Sequence, residues 1–237
     1  MISDDLTAPP VADHWCTPQK EPTVNVRETV SEHGLTVRAQ HRRNPYDYLL
    51  GPGELDQLLL ELGLRRAASI WRQHTTAASA APRGSYGRTA MGFVLMDPTA
   101  GPWIPNERAV LGVVSIGEDG HRFLPNAAAK AAGHRRLGRN YGEAVLVDPH
   151  LCGSAGFRYG HSAEVRGQIV GASSQSPDQD LFEAGRLAQD FVGAIAERHL
   201  AWEDRVGPSD WLAADDAPHQ EYRDMVSFFV PPVAAKP

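Results

Sequence analysis

The amino-acid sequence predicts an α+β fold, an antiparallel β-sheet with helices packed against it, and three observations carry that prediction. Residues 53–74 place Leu55, Leu58, Leu59, Leu62, Ala67, Ile70 and Trp71 at helical spacing, with Glu54, Asp56, Arg65, Arg66 and Arg72 on the other face. Short apolar runs bounded by Gly, Pro and Asp follow without strict alternation with helices. Near the end, Ser176-Pro177-Asp178-Gln179 sets a capping Ser, a Pro at the first helical position, an early acid and a box-completing Gln.

Residues 1–28 hold Pro9, Pro10, Pro18 and Pro22 among polar neighbours, with no period that buries a face, and read as an extended arm. Residues 29–203 read as one α+β domain, and residues 204–237 as an irregular tail. Within the domain, Gly34-Leu35-Thr36-Val37-Arg38-Ala39 alternates as a short strand, and Asn44-Pro45-Tyr46-Asp47 is a turn. The helix of residues 53–74 contains Gly63, where a break is expected, and residues 75–88 read as a surface loop. Strands are expected at 91–96 and 109–116, the second entering a hairpin through Glu118-Asp119-Gly120 and returning along His121-Arg122-Phe123-Leu124. An alanine-rich helix is expected from a capping Asn126 to the stop at Gly138. Further strands are expected at 143–147 and 165–172, and the capped helix is expected to run from Pro177 to about Trp202 on the stripe Leu181, Ala184, Ala188, Phe191, Val192, Ile195 and Leu200.

A chain of 237 residues with 42% apolar and 22% charged residues is long enough for one sizeable core. Its net charge of −6 argues against a general affinity for nucleic-acid backbones. Cys16 and Cys152, far apart and outside any C-x-x-C, give no disulfide framework, zinc ribbon or c-type haem attachment. No apolar run reaches the roughly 20 residues of a membrane helix, and the first residues have no signal-peptide core, so a cytoplasmic protein is expected. Ser-His-Asp order, Walker loop, G-x-G-x-x-G after a strand and H-E-x-x-H are all missing, which lowers hydrolase and nucleotide-dependent readings.

At residues 168–180, the run Gln-Ile-Val-Gly-Ala-Ser-Ser-Gln-Ser-Pro-Asp-Gln-Asp resembles the GlcG/HbpS-like family of haem-degrading or haem-binding proteins, in which a strand ending Val-Ser-Gly-Gly leads into Thr-Pro-Glu-Gln-Asp and a helix. Ser173, Pro177, Gln179 and Asp180 match directly. The helix of residues 53–74, the turn before His121 and the helix with Ala129-Lys130-Ala131 are similar to the family's opening helix, Val-Asp-x-Gly-Gly-His hairpin and Ala-x-x-Lys-Ala helix. The resemblance spans residues 54–195 and implies profilin-like layering and a haem cofactor. Ser174 and Gln175 stand where the family has glycines, and Ser115 where its hairpin has aspartate.

Haem requires an axial ligand from His, Cys or Tyr. His134 lies four residues after Lys130, on one helical face, where the imidazole would bind iron and the ammonium a propionate, with Arg135 close by. Against this stands a solvated helix end. His121 occupies the position of the family's hairpin histidine, or is simply a turn residue. Residues 150–161 gather His150, Cys152, Tyr159 and His161 among Gly153, Gly156 and Gly160, which allow close backbone approach to a ligand, or serve only as a connection. The metal candidates are therefore His134, His121 and His161, and the cofactor-binding candidates add Cys152, Tyr159, Lys130 and Arg135.

The first functional expectation is a haem-dependent, oxidoreductase-like enzyme or haem-handling protein acting on a small molecule, as a homo-oligomer. The second is a cofactor-free sensor or non-redox catalyst that keeps the fold without the tetrapyrrole, which the departures at Ser115, Ser174 and Gln175 favour. The third is an oligomeric scaffold.

Overall fold

A computed structural model describes residues 26–140, 160–207 and 220–228. Its centre is a six-stranded antiparallel sheet in the order β1-β2-β4-β3-β6-β5. The strands are β1 (Arg27–Val30), β2 (Thr36–His41), β3 (Met91–Met96), β4 (Val110–Ile116), β5 (Ser162–Val165) and β6 (Gln168–Ser173). The helices are α1 (Glu54–Thr75), α2 (Leu124–Leu137), α3 (Pro177–Val206) and α4 (Gln220–Met225). By compactness the chain divides into two units, residues 1–194 and 195–237; the second holds the end of α3 and all of α4.

Both faces of the sheet are covered, which is why β3 reads MGFVLM with every residue buried. In the central pairing Phe93 lies opposite Val114 and Val94 opposite Val113, so the two sets of side chains point to opposite faces. On the Val94 face, α2 docks through Ala127 and Ala131 with Met96 and Ala109. Gly171 permits that approach, since a Cβ there would stand 2.0 Å from the Ala127 carbonyl oxygen. On the Val114 face, α1 docks through Gly63, where a Cβ would fall 2.7 Å from Val37 and 2.8 Å from Val114. The expected break at Gly63 does not occur: the glycine is where an unbroken helix touches the sheet.

The first half of α3 shares this face with α1, burying Ala184, Leu187, Ala188 and Phe191. It begins where the sequence predicts, though among the described residues no hydrogen bond of the Ser176 hydroxyl caps it. Pro177 opens the helix, and the Gln179 side chain accepts the backbone N–H of Ser176 at 3.2 Å.

Several local expectations are corrected. Residues 120–123 form a turn of 3-10 helix that runs into α2, not a strand returning from a hairpin, because Gly117 turns the chain at φ 75° and a Cβ at Gly92 would meet the incoming backbone at 2.9 Å. The helix begins at Leu124 with Pro125 in its first turn, so Asn126 is inside it rather than its cap. The strand expected at 165–172 is the hairpin β5–β6, turned by Arg166 and Gly167 at φ 48° and 84°, both in the positive region that a two-residue hairpin turn requires. β1 begins at Arg27, inside the expected arm, and pairs with β2 from Arg27 opposite Ala39. α3 continues to Val206, and the tail expected to be irregular contains α4. The strand expected at 143–147 lies outside the described residues.

Candidate functional site

Lys130 is fully buried. Its ammonium donates to Asp180 Oδ2 at 2.6 Å and to the Ala172 carbonyl at 2.8 Å. The other carboxylate oxygen, Oδ1, accepts the backbone N–H groups of Ser174 and Gln175 at 3.1 and 2.9 Å. One ion pair thus ties α2 to the β6–α3 junction. Burial pushes the Asp180 carboxyl up from its ordinary value, against the pull of Lys130 and the two N–H groups. With its donors directed to Asp180 and Ala172, Lys130 has a structural position rather than one at a ligand's edge.

His134 is 5% exposed on the same face of α2, and its Nδ1 lies 2.8 Å from Ser162 Oγ on β5. His161, next along the chain, has a buried Nδ1 with no hydrogen-bond partner among the described residues. Arg135 donates to Asn106 Oδ1 at 2.8 Å and to the carbonyls of Ala100 and Gly101, fastening α2 to the loop after β3. His121 precedes α2, in the turn of 3-10 helix at 120–123, with Nδ1 at the Glu118 carbonyl, whereas His134 lies about 15 Å along α2 from its first residue at 1.5 Å rise per residue. Cys152 and Tyr159 lie outside the described residues. Among the described candidates, Lys130 and Arg135 are engaged in holding the fold and His121 stands at the other end of α2, while His161 adjoins Ser162, the partner of His134.

Of the residues that do converge, Arg65, Arg66 and Arg72 were read in the sequence only as the polar face of a helix, and the rest were not singled out. Arg65, Ser69 and Arg72 fall on one stripe of α1 by the i, i+4, i+7 rule, and with Arg66 and Gln73 they face Phe182 and Arg186 of α3 across a cleft of about 280 Å³. Arg66, 7% exposed, forms the floor. Its guanidinium reaches Glu183 Oε2 and Asp190 Oδ2, both at 3.3 Å, and its Nε is buried without a hydrogen-bond partner among the described residues.

Glu183 also accepts Ser69 Oγ at 3.0 Å and Tyr86 OH at 2.9 Å, which joins α1, α3 and the segment before β3. Burial pushes both the Glu183 carboxyl and the Tyr86 hydroxyl up from their ordinary values, and the neighbouring Glu183 raises Tyr86 further. Arg83 stands 3.9 Å over the Phe182 ring beside the cleft. Arg65 and Arg72 are exposed and form no ion pair among the described residues, and Arg186 bonds only to Gln189 at 3.2 Å. Such a set of guanidinium groups can bind a carboxylate or phosphate through paired N–H donors.

Comparison with models of known protein families, with curated proteins and with solved structures finds no match. Among the described residues no cluster of three His, Cys, Asp or Glu side chains could hold a metal ion, and no helix is long and apolar enough to cross a membrane.

Proposed function

We propose that this protein binds a small anionic molecule, carrying carboxylate or phosphate groups, in the cleft between α1 and α3. The observation that carries the reading is the convergence of Arg65, Arg66, Arg72 and Arg186 on one cavity, where among the described residues only Arg66 is ion-paired to carboxylates. Like charges so placed repel one another, and a bound anion removes that cost. The volume suits a metabolite rather than a polymer.

On this reading the chain keeps GlcG/HbpS-like layering and works without the tetrapyrrole. The family resemblance is supported by the Lys130–Asp180 pair, which joins the two motifs that carry it. The engagement of Lys130 and Arg135 within the fold weighs against a haem site on α2.

Thermal denaturation across a panel of citrate, succinate, pyrophosphate and neutral amide analogues tests the proposal. The anions are expected to raise the midpoint and the amides to leave it unchanged, because a ligand of the native state at 100 times its Kd stabilises by about 2.7 kcal/mol. A hemin titration runs alongside. A saturable Soret band with no response to any anion would overturn the proposal and restore the haem reading.

A further inference from the structure

The other face of the sheet carries a second concave site that the arginine cleft leaves unused. Between β3 and β4, the loop Gly101-Pro102-Trp103-Ile104-Pro105 is fixed at several points. Asp97 Oδ1 accepts the Thr99 N–H at 2.8 Å, Ile104 N–H bonds to the Gly101 carbonyl at 3.0 Å, and Ala109 N–H bonds to the carbonyls of Pro105 and Asn106, both at 3.1 Å. Arg135 clamps the loop from α2 through Ala100, Gly101 and Asn106.

On this rigid support Trp103 is 77% exposed. Its indole lies against the backbone of Gly101, where a Cβ would stand 2.4 Å from the ring, so one side of the ring is backed by protein. Leaving an indole in water forfeits the burial of a large apolar surface, and a loop so firmly held does not expose it through disorder. Beside it a cavity of about 290 Å³ is lined by Trp103, the flanking prolines, Asn106, Arg135 and Arg136. Among the described residues the exposed Arg136 forms no ion pair, and the buried Arg135 Nε has no hydrogen-bond partner.

We propose that this is a second ligand site, taking a flat aromatic ring that stacks on Trp103 and carries an anionic group to Arg136. The ring gains from an indole already fixed in place, which removes much of the ordering cost of binding, and the guanidinium selects an acidic substituent. An arenecarboxylate and a nucleoside monophosphate share this chemistry. The site is independent of the cleft between α1 and α3, because α2 and α1 lie on opposite faces of the sheet.

Calorimetry on the full chain with 1-naphthoate, adenosine 5′-monophosphate, adenosine and inorganic phosphate tests it. At least one of the first two is expected to bind, and which one binds identifies the source of the ring. Adenosine and phosphate, each lacking half of the recognised chemistry, are expected to bind about tenfold more weakly or not at all. Trp103→Ala is expected to weaken binding of the ligand about tenfold, the effect of losing one stacked ring, while Trp103→Phe keeps most of it. Arg136→Ala is expected to weaken binding of the acids and leave any adenosine binding unchanged. Both side chains are exposed, so these variants are expected to fold, with unchanged circular dichroism as the check. Failure of both ring acids to bind at millimolar concentration would overturn the proposal. So would binding that is indifferent to Trp103→Ala, or that is lost in Arg65→Ala instead.

Discussion

A lysine with no exposed surface is the residue whose role the sequence least reveals. Ala129-Lys130-Ala131 on a helix reads equally as a ligand contact or a solvated face, because an isolated sequence does not say where the partner carboxylate lies, and Asp180 is 50 residues away. Removing one member of a buried pair strands the other charge, so Lys130→Met is expected to cost about 3–5 kcal/mol in chemical denaturation. Adding Asp180→Asn should recover part of the loss, since an amide oxygen still accepts from Ser174 and Gln175. A single-variant cost below about 1 kcal/mol would remove the pair from the account of stability. Glu183 gives a pH signature. Its folded-state value is raised above the ordinary 4.5, so the folded protein holds the proton more tightly than the unfolded chain. The stability linked to that proton is fully present below pH 4.5 and is lost as the pH rises through the folded value. Between pH 4.5 and 7, Glu183→Gln is therefore expected to show a gentler fall, or a steeper rise, in melting temperature than the parent; identical pH profiles would contradict it.

Periodicity and capping made the elements legible where one pattern ruled a long stretch. The α1 stripe, the strands at 91–96 and 109–116 and the Ser176-Pro177 start all appear within a few residues of their expected places. Short-range turn chemistry was harder to read. Arg166-Gly167 turns a hairpin with an arginine at positive φ, which the pairing of β5 with β6 sustains against its own preference. At Glu118-Asp119-Gly120 a glycine-containing turn led into a helix instead of a strand, because the next residues pack their backbone against Gly92. Gly63 and Gly193 separate helix propensity from packing. Both lie inside helices, where alanine gains up to about 1 kcal/mol over glycine. Nothing stands within 4 Å of a Cβ at Gly193, so Gly193→Ala is expected to stabilise by roughly that amount. At Gly63 the added methyl meets Val37 and Val114 below 3 Å, so Gly63→Ala is expected to destabilise by about 1–3 kcal/mol. Denaturation midpoints that moved in the same direction would break the argument that Gly63 sets the distance between α1 and the sheet.

For the molecule as a whole, the net charge of −6 describes the sum and conceals the arrangement. Arginines distributed over two helices distant in sequence meet at one cleft, and no window of the sequence contains them together. Their signal was present as Arg65 and Arg72 on one stripe of α1, seven residues apart, but a polar helical face has that appearance whether or not it binds anything. Lys130 and Arg135 show the converse: close in sequence, they are drawn to different partners by the packing of α2 between the sheet and the loop after β3. The sheet with helices on both faces is thus the frame, and the anion cleft is the claim that gives it a function. Its most direct test is calorimetric titration of citrate into the parent protein and into the Arg65→Ala, Arg72→Ala double variant at moderate ionic strength. Both side chains are exposed and free of ion pairs among the described residues, so the fold is expected to survive their loss. Saturable binding is expected in the parent, and binding at least about tenfold weaker in the double variant, from the loss of two charge-assisted contacts. Equal affinity in the two proteins, or no heat of binding in the parent, would contradict it.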